Sequence, residues 1–194
     1  MWHIILYLTP VTVSLTLIGL ITAVAAGAWW RSHAPTSALI AARVLLAAWV
    51  ALVLVATLEG SAPASGSQFH FEMTPGQGAW EPNGHIGAEL HPEERDMILH
   101  LQIANTLMTL PAGSLTVLAF PRWSRLRALS ACWGLCLAIE LAQATGDRVG
   151  DIDDVLCNSL GALAGVGLAH VCLHLTRHHR ARHRAPRGHA PPRT

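Results

Sequence analysis

The residues with the most chemical capacity lie between Glu140 and Gly165, in the run ELAQATGDRVGDIDDVLCNSLGALAG. Glu140, Gln143, Arg148, Asp151, Asp154 and Asn158 gather there around a turn between two apolar stretches. Glu140 or Asp154 is suited to act as general acid or base, and Arg148 to hold an anionic group. A divalent cation held by Glu140, Asp151 and Asp154 is a variant of this reading, since hard carboxylate oxygens suit Mg²⁺ or Ca²⁺, but no known loop spacing accompanies them. A structural alternative pairs Glu140 with Arg148 simply to fix the helices. Burial raises a carboxylate pKa and a neighbouring guanidinium lowers it, so the sequence leaves open which carboxylate holds a proton.

The elements that must position these groups are apolar. Of the 194 residues 52% are hydrophobic and 13% charged, with a mean hydropathy of +0.38. Five separate runs, at about 4–29, 38–58, 98–120, 127–145 and 154–175, each suffice to cross ~30 Å of hydrocarbon. The expected fold is an all-α, polytopic membrane helical bundle of about five transmembrane helices. A carboxylate inside such a run, as at Glu140, is costly unless paired or hydrated, which makes it a functional candidate.

Charge is strongly segregated along the chain. All thirteen basic residues are Arg, and eleven of them fall within 31–43, 122–127 and the segment after 176. Eleven of the twelve acids fall within 59–96 and 147–154. Five spans put these two sets on opposite sides, so the positive-inside rule predicts the N-terminus outside and the C-terminus in the cytoplasm. The domain reading follows: two N-terminal spans in 1–58, an extracytoplasmic loop at 59–97, a three-helix core at 98–175 and a basic His/Arg/Pro-rich tail at 176–194. The tail is expected to be disordered near anionic lipid heads. The first run lacks a basic n-region and reads as a retained span with Pro10 in its interior. The loop is rich in Gly, Pro and Ser, with a short hairpin in prospect around Phe69 and Phe71 and a lid over the outer surface as a role.

Within the core, Gln102, Asn105 and Thr109 share one helical face, and Pro111 with Gly113 predicts a kink. His91-Pro92-Glu93-Glu94 reads as the start of that helix. Cys132, Cys136, Glu140 and Gln143 share a face of the next helix, and Arg43 is placed to snorkel from span two. On the last helix Asp151, Asp154, Asn158, Gly161 and Gly165 fall on one face, with Asp153 placed to cap it. The small-xxx-small spacing of Gly161 and Gly165 permits close helix approach. Together these predict an outward-opening polar pocket lined by Gln102, Asn105, Glu140, Gln143, Arg148, Asp151, Asp154 and Asn158. The four cysteines read as buried apolar residues, not metal ligands or disulfides.

The pattern Glu140-x-x-Gln143, then Arg148-x-x-Asp151-x-Asp153-Asp154-x-x-x-Asn158-x-x-Gly161-Ala162-x-x-Gly165, resembles the VanZ-like membrane proteins. Asn105, five residues, Pro111, one residue and Gly113 is similar to a second motif of that family. The resemblance covers about residues 98–170 and leaves out the first two spans and the long loop; Cys136 stands where the family often has a hydroxyl residue. It implies an integral membrane protein of the cell envelope, in a family named for a member associated with low-level resistance to the glycopeptide teicoplanin.

Three functions are carried forward. One is an envelope protein that reduces teicoplanin access through an outer polar site. The second is a membrane-embedded enzyme acting on a lipid-linked envelope substrate, with Glu140 or Asp154 catalytic. The third is a non-catalytic scaffold. Membrane lipids, an envelope lipid-linked substrate or a glycopeptide are the expected partners; no nucleic acid is. No nucleotide-binding glycine loop is present, and the sparse charge of the first two spans argues against a proton relay.

Overall fold

The computed structural model describes residues 9–58, 69–76, 92–145 and 150–184. It is an all-α bundle. Helix α1 spans Pro10–His33 and is capped by Thr9, whose Oγ1 accepts the Thr12 N–H at 3.2 Å while Thr12 Oγ1 accepts the Thr9 N–H at 2.9 Å. Pro10 therefore opens a helix and does not interrupt one; at the first helical position its missing N–H costs nothing. Ala34 alone separates α1 from α2, Pro35–Leu58. Helix α3 spans Pro92–Ala119, beginning at the proline that the sequence marks as a start. Helix α4, Arg125–Ala144, is capped by Ser124 Oγ, which accepts the Arg127 N–H at 3.2 Å. Helix α5 spans Ile152–Arg184.

Four of these helices, α1, α2, α4 and α5, are long and apolar enough to cross a membrane. The fifth expected span, α3, is 28 residues long but is diluted by Gln102, Asn105, Thr106 and Thr109. The reason is positional, since α3 touches all four other helices and makes its longest seam with α5. A helix enclosed by protein must offer hydrogen bonds and small residues where a lipid-facing one offers only hydrocarbon. By contrast α1 and α2 leave Leu15, Ile18, Val44 and Val55 about 60% exposed, the surface that lipid would cover.

The α3–α5 seam is built on the predicted packing residues. A Cβ on Gly161 would collide with the Thr106 carbonyl oxygen, one on Gly165 with that of Leu110, and one on Gly113 with that of Ala162. With the backbones this close, hydroxyls on α3 reach carbonyls on α5. Thr106 Oγ1 donates to Cys157 O at 3.2 Å, Thr109 Oγ1 to Asn158 O at 2.7 Å and Ser114 Oγ to Gly165 O at 3.0 Å. Helix α3 continues through Pro111. Pro111 cannot donate to the preceding turn, and in that turn the Trp49 indole N–H of α2 donates to Met108 O at 2.9 Å.

Helix ends of like charge collect at two poles. At the basic pole Arg31 Nη1 donates to Val117 O at 3.5 Å and Arg43 Nε to Ala119 O at 3.3 Å, so two guanidiniums satisfy the orphan C-terminal carbonyls of α3. Arg43, an exposed residue, also lies 5.7 Å from the centre of the Phe120 ring. Helix α5 runs through Thr176 to Arg184, into the segment read from sequence as a disordered tail. Its Ala and Arg residues favour helix, its cations suit the negative end of the dipole, and the His174 and His178 rings, one turn apart, meet edge to face with centroids 4.3 Å apart. Residues 185–194 lie outside the described residues.

Candidate functional site

The acidic pole is assembled from three helix ends and a strap. The strap is the 69–76 segment of the long loop, and among the described residues it pairs with the turn before α5 and not in the expected hairpin. Strand β1, Phe71–Glu72, pairs in parallel with β2, Gly150–Asp151, in the turn before α5. His70 N–H donates to Ala144 O at 3.2 Å, and the Gly150 N–H donates to His70 O at 3.0 Å. An orphan carbonyl at the end of α4 thereby gains a donor from the loop, which a hairpin closed on itself could not supply. Gly150 is required at this crossing, since a Cβ there would lie 2.7 Å from Phe71 Cδ2 and 2.8 Å from Glu140 O.

The aspartates of the turn divide their work. Asp151 Oδ1 accepts the Asp153 N–H at 2.8 Å, the geometry of an N-cap, so Asp151 and not Asp153 caps α5. Asp153 is released to grip the strap, both carboxylate oxygens accepting the Gly76 N–H at 3.1 and 2.8 Å. Partial burial pushes the Asp151 carboxyl above its ordinary range, opposed by the hydrogen bond from Asp153 N–H and assisted by the negative charges of Asp153 and Glu72. Glu72, exposed on the strap, goes the other way because the Thr74 N–H donates to it at 2.9 Å.

Beneath the turn lies the polar set. Asn105 Nδ2 donates to Asp154 Oδ1 at 2.6 Å, joining α3 to α5. One turn further on, Asn158 is 3% exposed; its backbone carbonyl accepts from Thr109, and its side-chain Oδ1 is buried with no hydrogen-bond partner among the described residues. Glu140 is 2% exposed, and its Oε2 accepts the Asp151 N–H at 3.4 Å. Gln143 turns away from this set to α2, its Nε2 donating to Thr57 O at 2.9 Å. Gln102 is half-buried on α3, one turn before Thr106, whose hydroxyl bonds the Gln102 carbonyl. Arg148, with its proposed pairing to Glu140, lies outside the described residues.

The structure therefore brings Asn105, Asp154 and Asn158 together, puts Glu140 and Asp151 against one turn, and uses Gln143 as a tie to α2. Among the described residues no group of three His, Cys, Asp or Glu side chains is placed to share a metal ion, so Glu140, Asp151 and Asp154 do not form a cation cage. Sequence reasoning missed the hydroxyls Thr106 and Ser114, the Trp49 and Thr57 contacts of α2, and the strap. The i, i+3 spacing of Thr106 and Thr109 opposite small-xxx-small glycines was a usable signal for the first. The strap had none, because a two-residue pairing leaves no periodicity.

A family model described as VanZ/LLP1 matches residues 42–173, about two thirds of the chain. The match extends the motif resemblance back into α2, consistent with the bonds from Trp49 and Thr57 that tie this helix to α3 and α4. Neither the curated proteins nor the solved structures contain a match.

Proposed function

The chain belongs to the VanZ/LLP1 family of membrane proteins, and from that premise we propose that it is a multi-pass cell-membrane protein that reduces susceptibility to teicoplanin through the polar site at its acidic pole. The segregation of arginine from acid turns this pole outward under the positive-inside rule. The observation that carries the reading is Asn158 Oδ1, a buried acceptor without a partner among the described residues, one turn from a carboxylate held by Asn105. Leaving such an acceptor unmet costs about 1–3 kcal/mol, and it is useful where a ligand's hydroxyl or amide N–H can meet it. A lipid-linked envelope component or a lipid-anchored glycopeptide offers many such donors at the membrane surface.

A second reading is a membrane-embedded enzyme acting on a lipid-linked substrate. Glu140 favours it, being a carboxylate 2% exposed that reaches the same turn as the Asp154 helix end. Burial of this kind is how enzymes hold a carboxyl ready for proton transfer.

The test uses a susceptible Gram-positive host expressing the wild type, Asp154→Asn or Asn158→Leu, with membrane insertion measured for each. Teicoplanin tolerance above the vancomycin control is expected from the wild type and is lost in both variants. Asn158→Leu removes the unmet acceptor at similar volume, so it inserts as well as the wild type. A well-inserted wild type without protection sinks the teicoplanin reading. Protection that survives both substitutions leaves the protein a scaffold whose polar residues only lock helices.

A further inference from the structure

At the basic pole three arginines and two histidines surround a cavity of about 200 Å³. Arg31 comes from the last turn of α1 and Arg125 from the first turn of α4, while His170, His174 and Arg177 lie at i, i+4 and i+7 on one face of α5. Arg31 and Arg177 are close enough for their like charges to repel. Among the described residues none of the three guanidiniums is ion-paired with a carboxylate. His170 Nδ1 donates to the Val166 carbonyl at 2.8 Å, which leaves Nε2 as the ring nitrogen for another partner. Converging cations without a counter-charge are relieved by a bound anion.

The cavity shares its wall with an apolar groove. Arg125, His170 and His174 also stand at the head of a groove of about 530 Å³ between α4 and α5. Leu129, Leu163, Val166 and Gly167 line it, with Val171 and Leu175 nearer the cations. From Leu163 to Leu175 the groove follows α5 for about 18 Å, at 1.5 Å per residue. Leu163, Val171 and Leu175 are each more than half exposed. A Cβ built on Gly167 meets nothing within 4 Å, so the groove is open at mid-length.

We propose that this pole binds an anionic phospholipid, its phosphate in the basic cavity and an acyl chain along the α4–α5 groove. The continuity of cation cluster and apolar groove selects a lipid over a soluble phosphate, which would use the cavity alone. This site is separate from the acidic pole and stands whether or not the teicoplanin reading does.

Native mass spectrometry of the full-length protein in detergent tests it, with dioleoyl phosphatidylglycerol, dioleoyl phosphatidylcholine and sodium phosphate as probes. Phosphatidylglycerol is expected to be retained at least about tenfold more strongly than phosphatidylcholine, because two or more arginines meet its net charge. Combined Arg125→Gln and Arg177→Gln weakens phosphatidylglycerol by about thirtyfold, taking about 1 kcal/mol per arginine. Gly167→Leu, at a site where a Cβ meets nothing within 4 Å, obstructs the groove and lowers retention of phosphatidylglycerol, while phosphate binding is unchanged. Arg31 is left intact because it caps α3. Equal retention of both lipids by the wild type overturns the proposal. So does sodium phosphate displacing phosphatidylglycerol completely while Gly167→Leu has no effect, an outcome that assigns the cavity to a soluble anion.

Discussion

The two poles of helix α5 handle charge in opposite ways. At the acidic pole each described carboxylate around the turn before α5 accepts a donor from the protein: Asp151 from the Asp153 N–H, Asp153 from the strap, Asp154 from Asn105 and Glu140 from the Asp151 N–H. At the basic pole Arg31, Arg125 and Arg177 converge on one cavity with no carboxylate paired to them among the described residues. The geometry of the helix explains the contrast. Toward the acidic pole α5 carries Gly161 and Gly165 and lies against the α3 backbone, so short side chains reach across. Toward the basic pole it carries Gly167, His170 and His174 beside an open groove, where long side chains surround space instead of each other. A closed pole is suited to shaping a small polar site, and an open one to receiving a large amphipathic ligand.

The largest test of this contrast is one substitution made at two places on the same helix. Gly161→Leu drives a side chain into the Thr106 carbonyl and is expected to cost about 3 kcal/mol or more, or to abolish insertion. Gly167→Leu is expected to be neutral or stabilising by up to about 1 kcal/mol, since the site is open and glycine is a poor helix former. Unfolding in mild detergent reads both. Equal losses would mean that the two poles pack alike.

A smaller effect is expected from the strap. Asp153→Ala removes both acceptors of the Gly76 N–H, at a cost of about 1–2 kcal/mol, while leaving the Asp151 cap in place. Hydrogen exchange over residues 69–76 should accelerate markedly with little change in α1 or α2. Unchanged exchange would show that the strap is held by its backbone bonds alone.

The smallest is a pH effect at Asp151. Its carboxyl is raised in the folded protein, mainly by burial, so its contribution favours folding below the unfolded value near pH ~4 and is lost as pH rises through the folded value. Asp151→Asn keeps a capping oxygen and removes this titration. The variant should therefore gain thermal stability relative to the wild type at neutral pH and lose that advantage toward pH ~4. A difference independent of pH would exclude Asp151 as the titrating group.

Much of the core was legible because membrane solvation makes residue type a strong statement of place. The expectation that Gly161 and Gly165 mark a close approach is met by α3, and the shared polar face of Asn105 and Thr109 meets α5. Pro92 was legible as a helix start because an N-terminal proline has one favourable helical position. Pro10 was misread as interior to a span because hydropathy continues across it, whereas Thr9 supplies the cap. Gln143 was grouped with the polar pocket by spacing alone, and its partner on α2 is 86 residues away in sequence.

The sequence by itself determined an all-α membrane protein, its family and the helix faces that carry polar groups. These follow from local rules: hydropathy length, 100° per residue, and motif spacing. Only the tertiary structure decided that α3 is enclosed, that Asp151 caps while Asp153 grips the strap, and that cations from three helices share one cavity with an apolar groove. Each of those depends on which distant backbone supplies a donor, an acceptor or a wall, and short polar side chains are compatible with many such partners until the helices pack.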